Sequence, residues 1–172
     1  MPTRLQVLLP IGIATVIVGV AGIVSLPSDV SIGTNVDFRM GVIELDDKTL
    51  EVYIADTKPR YERGLMWESQ EFLMDGKGND LGMLFIFNEP GLRSMWMQNM
   101  QFHLDIIWFN EDRHVVLIEK NVPPCITPLE VMACQSVGVS ADNAKYVLEV
   151  KSGFVDKFGI GNDSKLEIIS GN

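Results

Sequence analysis

From Phe38 to Ile169 the apolar residues of this chain come in short runs bounded by Gly, Pro, Asn or Asp, and that punctuation constrains the fold more than any other feature. Runs of roughly four to eight residues between turn signals read as strands. Phe38–Leu45 and Leu50–Ala55 alternate, with Asp46-Asp47-Lys48 as hairpin turn chemistry. Thr57 can cap a short helix that tolerates Pro59 in its first turn, ends near Met66 and turns Tyr61, Leu65 and Met66 toward a core. Asp75–Asp80 is a polar, glycine-containing loop. Met83–Phe87 is a strand closed by the turn Asn88-Glu89-Pro90-Gly91, and Ser94–Met97 is the next. Leu104–Phe109 and His114–Glu119 pair across Asn110–Arg113. Asn121–Ser136, with three prolines, reads as a long irregular loop. Lys145–Lys151 is a strand with Tyr146, Leu148 and Val150 on one face and Val147 and Glu149 on the other. A short helix over Ser152–Phe158 and a strand over Leu166–Ile169 complete the pattern. No regular helical crossover of the needed length separates the strands, which argues against parallel pairing. The expected fold is β-rich α+β, a compact antiparallel sandwich or partly closed barrel with two short helices.

Ahead of this domain lies a different kind of segment. Val7 to Val24 carries no charge and is interrupted only by Pro10, Thr15 and three glycines. As a helix, about 18 residues at about 1.5 Å each cover about 27 Å, close to the roughly 30 Å of a bilayer core. A cleaved signal peptide would have a shorter apolar core and a small-residue site, and Ile23-Val24-Ser25 is a poor one. The expected organisation is therefore a retained N-terminal transmembrane anchor over 1–26, a linker over 27–36 and a globular domain over 37–172. Arg4 before the run and Asp29 after it put the amino terminus in the cytoplasm and the domain outside it, so the membrane is the first partner implied.

Charge narrows the remaining partners. Without Arg4 the 14 basic side chains become 13 against 23 acidic, a net charge near −10. Phosphate backbones repel such a surface, and no nucleic-acid partner is expected. Cys125 and Cys134 are the only two cysteines. Outside the cytoplasm a disulfide between them is the default, with free thiols or soft-metal ligands as the other readings.

Several tetrapeptides follow one another in order: Arg63-Gly64-Leu65-Met66, Gly82-Met83-Leu84-Phe85, Trp96-Met97-Gln98-Asn99 and Leu104-Asp105-Ile106-Ile107, then Pro123-Pro124-Cys125, Tyr146-Val147-Leu148-Glu149 and Phe158-Gly159-Ile160. Together they resemble the DUF192 family, also called UPF0127, over roughly residues 50 to 169. The resemblance implies a small β-rich fold, an exported or membrane-tethered location and no established activity. It also favours pairing of Cys125 with Cys134, since the family often has a second cysteine there.

Four residues are the ligand-binding candidates. Asp105 interrupts an apolar strand on the face of His103, Ile107 and Phe109, and buried there it needs Arg93, Arg63 or backbone donors as partners. It can be a structural carboxylate or a ligand-binding or acid-base group. Trp96 and Asn99 combine a large ring with an orienting amide, the composition of a small-ligand crevice and equally of a core and turn. Arg63 sits on a helix face, solvated or paired with a carboxylate. Glu149 can satisfy nearby loop amides or, with Asp105, form a two-carboxylate hydrolase centre. Met95, Met97 and Met100 around Trp96 suit Cu(I), although methionine in cores usually fills gaps. With no standard catalytic motif and two histidines, zinc is improbable, and no cofactor or metal is expected. The functional expectation is a membrane-tethered extracytoplasmic binding module for a small polar ligand or an envelope protein. An extracytoplasmic hydrolase using Asp105 and Glu149, and a Cu(I)-handling protein, are the alternatives.

Overall fold

The computed structural model describes residues 36–137 and 139–171. The apolar run and nearly all of the expected linker lie outside them. Among the described residues, no helix is long and apolar enough to cross a membrane.

The chain builds β1 (Arg39–Leu45), β2 (Lys48–Ala55), α1 (Lys58–Arg63), a 3-10 turn (Gln70–Leu73), β3 (Leu81–Met95), β4 (Leu104–Phe109), β5 (Val115–Val122), α2 (Pro128–Val137), β6 (Val139–Lys151), α3 (Phe154–Phe158) and β7 (Leu166–Ser170). All seven strands belong to one sheet, in the order β5-β4-β6-β3-β2-β1-β7. The β-rich α+β class is therefore what the chain adopts. The sandwich and the barrel are not: among the described residues there is one sheet, and its two edges meet only in the isolated bridge between His114 and Lys165.

Parallel pairing, argued against above, is present once. β2 and β3 run parallel, with Glu51 opposite Leu81 and Ala55 opposite Phe85. The crossover needs a dozen or more residues, and α1, the 3-10 turn and the Asp75–Asp80 loop supply them in short irregular pieces instead of one helix. A second departure lies in β3, which is one 15-residue strand and not two strands about a turn. It pairs with β6 on both sides of Asn88–Gly91, Ile86 opposite Tyr146 and Arg93 opposite Ala141, with register shifts between. The turn residues form a bulge because the long partner strand holds both halves in line. The third departure is α2, where a loop was expected. Its start is a capping box: the Thr127 N–H donates to the Glu130 carboxylate (2.8 Å) and the Glu130 N–H to the Thr127 hydroxyl (3.2 Å), with Pro128 first in the helix.

Period-two alternation on the central strands divides the core between two faces. All six residues of β4 are buried. Ile107 and Phe109 join Leu84, Tyr146, Leu148 and Val150 on one face, closed by Phe154 and Val155 of α3. Leu104, Ile106 and Trp108 join Met83, Phe85 and Val147 on the other, beneath Leu65 and Leu73 of the crossover. Burying each large aliphatic or aromatic side chain contributes about 1.5–3 kcal/mol, so the sheet is stabilised from both sides.

Candidate functional site

The β4–β6 register places two carboxylates side by side but back to back. Asp105 stands opposite Val150 and Ile106 opposite Glu149, so Asp105 faces the α3 side and Glu149 the crossover side.

Asp105 is 1% exposed and fully engaged. One carboxylate oxygen accepts from the Asn121 N–H at 2.9 Å. The other accepts from the N–H groups of Gly153 and Val155, each at 3.0 Å. Backbone donors, and neither Arg63 nor Arg93, offset its burial, and they pin the end of β5 and the start of α3 to β4. This is the structural carboxylate of the two readings offered above.

Glu149 is the contrasting case. It is 4% exposed, and among the described residues no donor bonds its carboxyl. Burial alone pushes its pKa from the ordinary 4.5 up to about 8, because the charged form is desolvated and nothing compensates it. At neutral pH it is a carboxylic acid. Its strand neighbours on that face are Met83 on β3 and Ile106 on β4, neither of which can hydrogen-bond strongly.

Glu149 lies at a cavity of about 120 Å³. β3 supplies Phe85, Phe87, Ser94 and Met95, and the chain beyond it Trp96 and Met100. The opposite wall comes from Tyr61 and Arg63 of α1 and from Gly64–Met66 after it. Trp96 is 43% exposed and carries the lining out to solvent. The Tyr61 hydroxyl donates to the Ile86 carbonyl (2.6 Å), which ties α1 to β3, and its ring stacks on Phe87 at 4.7 Å. Arg93 covers Phe87 at 4.2 Å, a cation–π contact.

The wall is shaped by the end of α1. Gly64, at φ 44° and ψ −138°, adopts a backbone closed to other residues, and an added Cβ would stand 3.4 Å from the Phe85 ring. The chain can then place Leu65 in the core and Met66 on the cavity. Trp67 follows with φ 65°, a costly conformation for a bulky residue. It is over-determined: its N–H donates to the Asn99 carbonyl (2.9 Å), its carbonyl accepts from the Gln101 side chain (2.9 Å), and Arg63 lies 5.3 Å from its ring. Arg63 itself pairs with Glu68 at 2.5 Å and donates to the Met66 carbonyl, while its Nε is buried without a partner.

The DUF192 family, described as an uncharacterized ACR, matches residues 41–168. The chain belongs to the DUF192 family. Two crystal structures share the fold. One, described as a putative transcription regulator from Sinorhizobium meliloti 1021, is 27% identical with a TM-score of 0.64, over 77% of this chain and 96% of that one. The other, a protein of unknown function from Novosphingobium aromaticivorans DSM 12444, is 25% identical with a TM-score of 0.58, over 76% and 84%. A search of curated proteins finds no match.

Within this DUF192 domain the four candidate residues separate. Arg63 and Trp96 line the cavity. Asn99 stands just behind it, in the left-handed region at φ 59°, where its amide reaches the Met66 sulfur at 3.7 Å. Asp105 is on the other face of the sheet. The two-carboxylate hydrolase centre is thereby corrected: Asp105 and Glu149 cannot address one cleft from opposite faces. Glu149, expected to bind loop amides, does not; Asp105 does. The three methionines do not share one cavity: Met95 and Met100 line the Glu149 cavity, whereas Met95 and Met97 line a second, apolar cavity of about 180 Å³ beside Val122 that Met100 does not reach. Cys125 and Cys134 border that second cavity as a disulfide, with Cα atoms 6.5 Å apart. Among the described residues, no cluster of three or more His, Cys, Asp and Glu side chains could hold a metal.

Proposed function

We propose that this DUF192 domain is a binding module that seats a small ligand in the cavity between α1 and β3, and that the apolar Val7–Val24 run tethers it outside the cytoplasm. The observation that carries the reading is Glu149: a residue only 4% exposed whose carboxyl meets no donor among the described residues and lies at an aromatic-lined cavity, in a domain whose other buried carboxylate is fully hydrogen-bonded. An unpartnered buried polar group costs free energy, and a ligand that supplies the partner recovers it. Trp67, Gly64 and Asn99 add support, because backbone strain of this kind collects at ligand sites. The net charge of −9 argues against the DNA contact that a transcription regulator would make.

The test is ligand-observed NMR of the full chain in mild detergent against a fragment set of mixed charge, compared with Trp96→Ala. Fragments that bind the parent and lose at least tenfold in affinity to the variant, with its circular dichroism preserved, are the expected result. Equal binding by both proteins would remove the cavity as the site. The tether has its own check: the full chain should stay with membranes through alkaline extraction, and release into the supernatant would refute it.

A further inference from the structure

We propose that the group seated against Glu149 is a primary ammonium, carried by a small alkylamine. The inference rests on the cavity being the binding site and adds the ligand's chemistry.

A buried carboxyl can be completed in two ways. Protonated, it offers one O–H to an acceptor; ionised, it accepts several N–H donors and a positive charge. The first task asks nothing that a serine or glutamine would not do. The second needs a carboxylate, and it needs one that no cation of the protein already pairs with. Glu149 meets that condition. The titratable groups that share the cavity with it are Tyr61 and Arg63 from α1; the strand neighbours Met83 and Ile106 carry no charge. Tyr61 spends its hydroxyl on the Ile86 carbonyl. The terminal nitrogens of Arg63 are paired with Glu68 and the Met66 carbonyl while its Nε has no partner, and burial, not a neighbouring charge, is the one cause of the shift at Glu149.

The walls suit the same ligand. The aromatic residues Phe85, Phe87 and Trp96 and the polarizable residues Met66, Met95 and Met100 line the space, and aromatic rings attract ammonium groups through their faces once water is removed. Arg93 lying on Phe87 shows that attraction in place. About 120 Å³ is a little less than the roughly 150 Å³ that admits benzene, which limits the occupant to a short alkyl chain with its ammonium. A net charge of −9 raises the local concentration of cations and repels carboxylates.

Seating the amine transfers no bond except the proton: Glu149 gives up its O–H proton to solvent and the ammonium N–H groups replace it. The experiment is calorimetric titration of the full chain with n-butylammonium, n-butanol and butyrate, in two buffers of different ionisation enthalpy, from pH 6 to 9. Butylammonium should bind at least tenfold more tightly than butanol, with butyrate weakest. Its affinity should rise about tenfold per pH unit until Glu149 is ionised near pH 8 and then level off, with close to one proton released at pH 6. Glu149→Gln, isosteric and uncharged, should lose at least tenfold and the pH dependence with it. Tighter binding of N-acetyl-lysine methylamide than of butylammonium would equally support ammonium recognition and assign it to a partner's lysine. If butanol or butyrate binds as well as the amine, the ammonium is overturned while the cavity stands as a ligand site. If none of the probes nor any fragment binds, both readings fall.

Discussion

Replacing Glu149 with glutamine should make the domain more stable at high pH and leave it nearly unchanged at low pH. The folded protein holds the Glu149 proton up to about pH 8, whereas the unfolded chain releases it near the ordinary 4.5. Below 4.5 both states are protonated, and the contribution of the buried neutral acid is fully present. Between 4.5 and 8 the unfolded state binds fewer protons, so stability falls as pH rises, and above about 8 the loss is complete. At about 1.36 kcal/mol per tenfold change in proton affinity, the interval corresponds to a ceiling of about 5 kcal/mol. Water entering the cavity and local relaxation reduce it, and about 2–3 kcal/mol is the expected difference at pH 9. Glutamine has the same shape and does not titrate, so the difference between the two proteins isolates this one proton from every other titrating group. Urea denaturation of both full chains at pH 5, 7 and 9, followed by tryptophan fluorescence, measures it. The variant's advantage should be near zero at pH 5 and grow at each step. A difference that stays constant from pH 5 to 9 would show that Glu149 is hydrated or paired in solution, and the argument from its isolation would collapse.

Two further substitutions probe the frame around the site. Asp105→Asn sets an amide N–H₂ against N–H groups that now donate to a carboxylate and should cost about 3 kcal/mol, or about 6–12 °C in Tm for a domain of this size; a loss under 1 kcal/mol in calorimetry would mean that the three hydrogen bonds do not persist. Replacing Cys125 and Cys134 together by serine opens a loop of nine-residue separation and should cost about 2–3 kcal/mol in thermal melts, with ammonium binding retained because the disulfide borders the other cavity; equal stability with and without the bridge would place its role elsewhere.

Much of this architecture is legible in residues 104–109 and 145–151. Their alternation places Ile107 and Leu148 on one face and Ile106 and Val147 on the other, and it singles out Asp105 as a charge in need of partners. Which partners is not legible, because the Asn121, Gly153 and Val155 amides reach Asp105 only through tertiary packing. The same limit misled the expectation for Glu149, which has no loop amides, and left the choice among arginines and backbone donors open for Asp105. Both occupy apolar strands, and nothing local tells which face meets a loop rich in N–H donors and which meets methionine and phenylalanine. The missed helix α2 is different, since its signal was present. Thr127-Pro128-Leu129-Glu130 has the spacing of a capping box with proline at the first position, and the prolines around it obscured the pattern. In β3 a strong turn sequence was overridden by pairing with β6, a case of local preference yielding to a long partner strand. The parallel β2–β3 pair escaped notice because its crossover is assembled from fragments.

The sheet order has a consequence for how the chain is made. Among the described residues β1 is the first strand to leave the ribosome, yet one of its two neighbours is β7, which emerges about 120 residues later, with Leu45 opposite Leu166. Until then β1 exposes a row of unpaired N–H and C=O groups, and the core lacks Leu166, which in the finished domain is wholly buried. Pairings of such long sequence separation form slowly, and an open edge recruits other strands. A chain lacking β7 is therefore expected to aggregate, because β1 would keep an open edge and the core would lack Leu166.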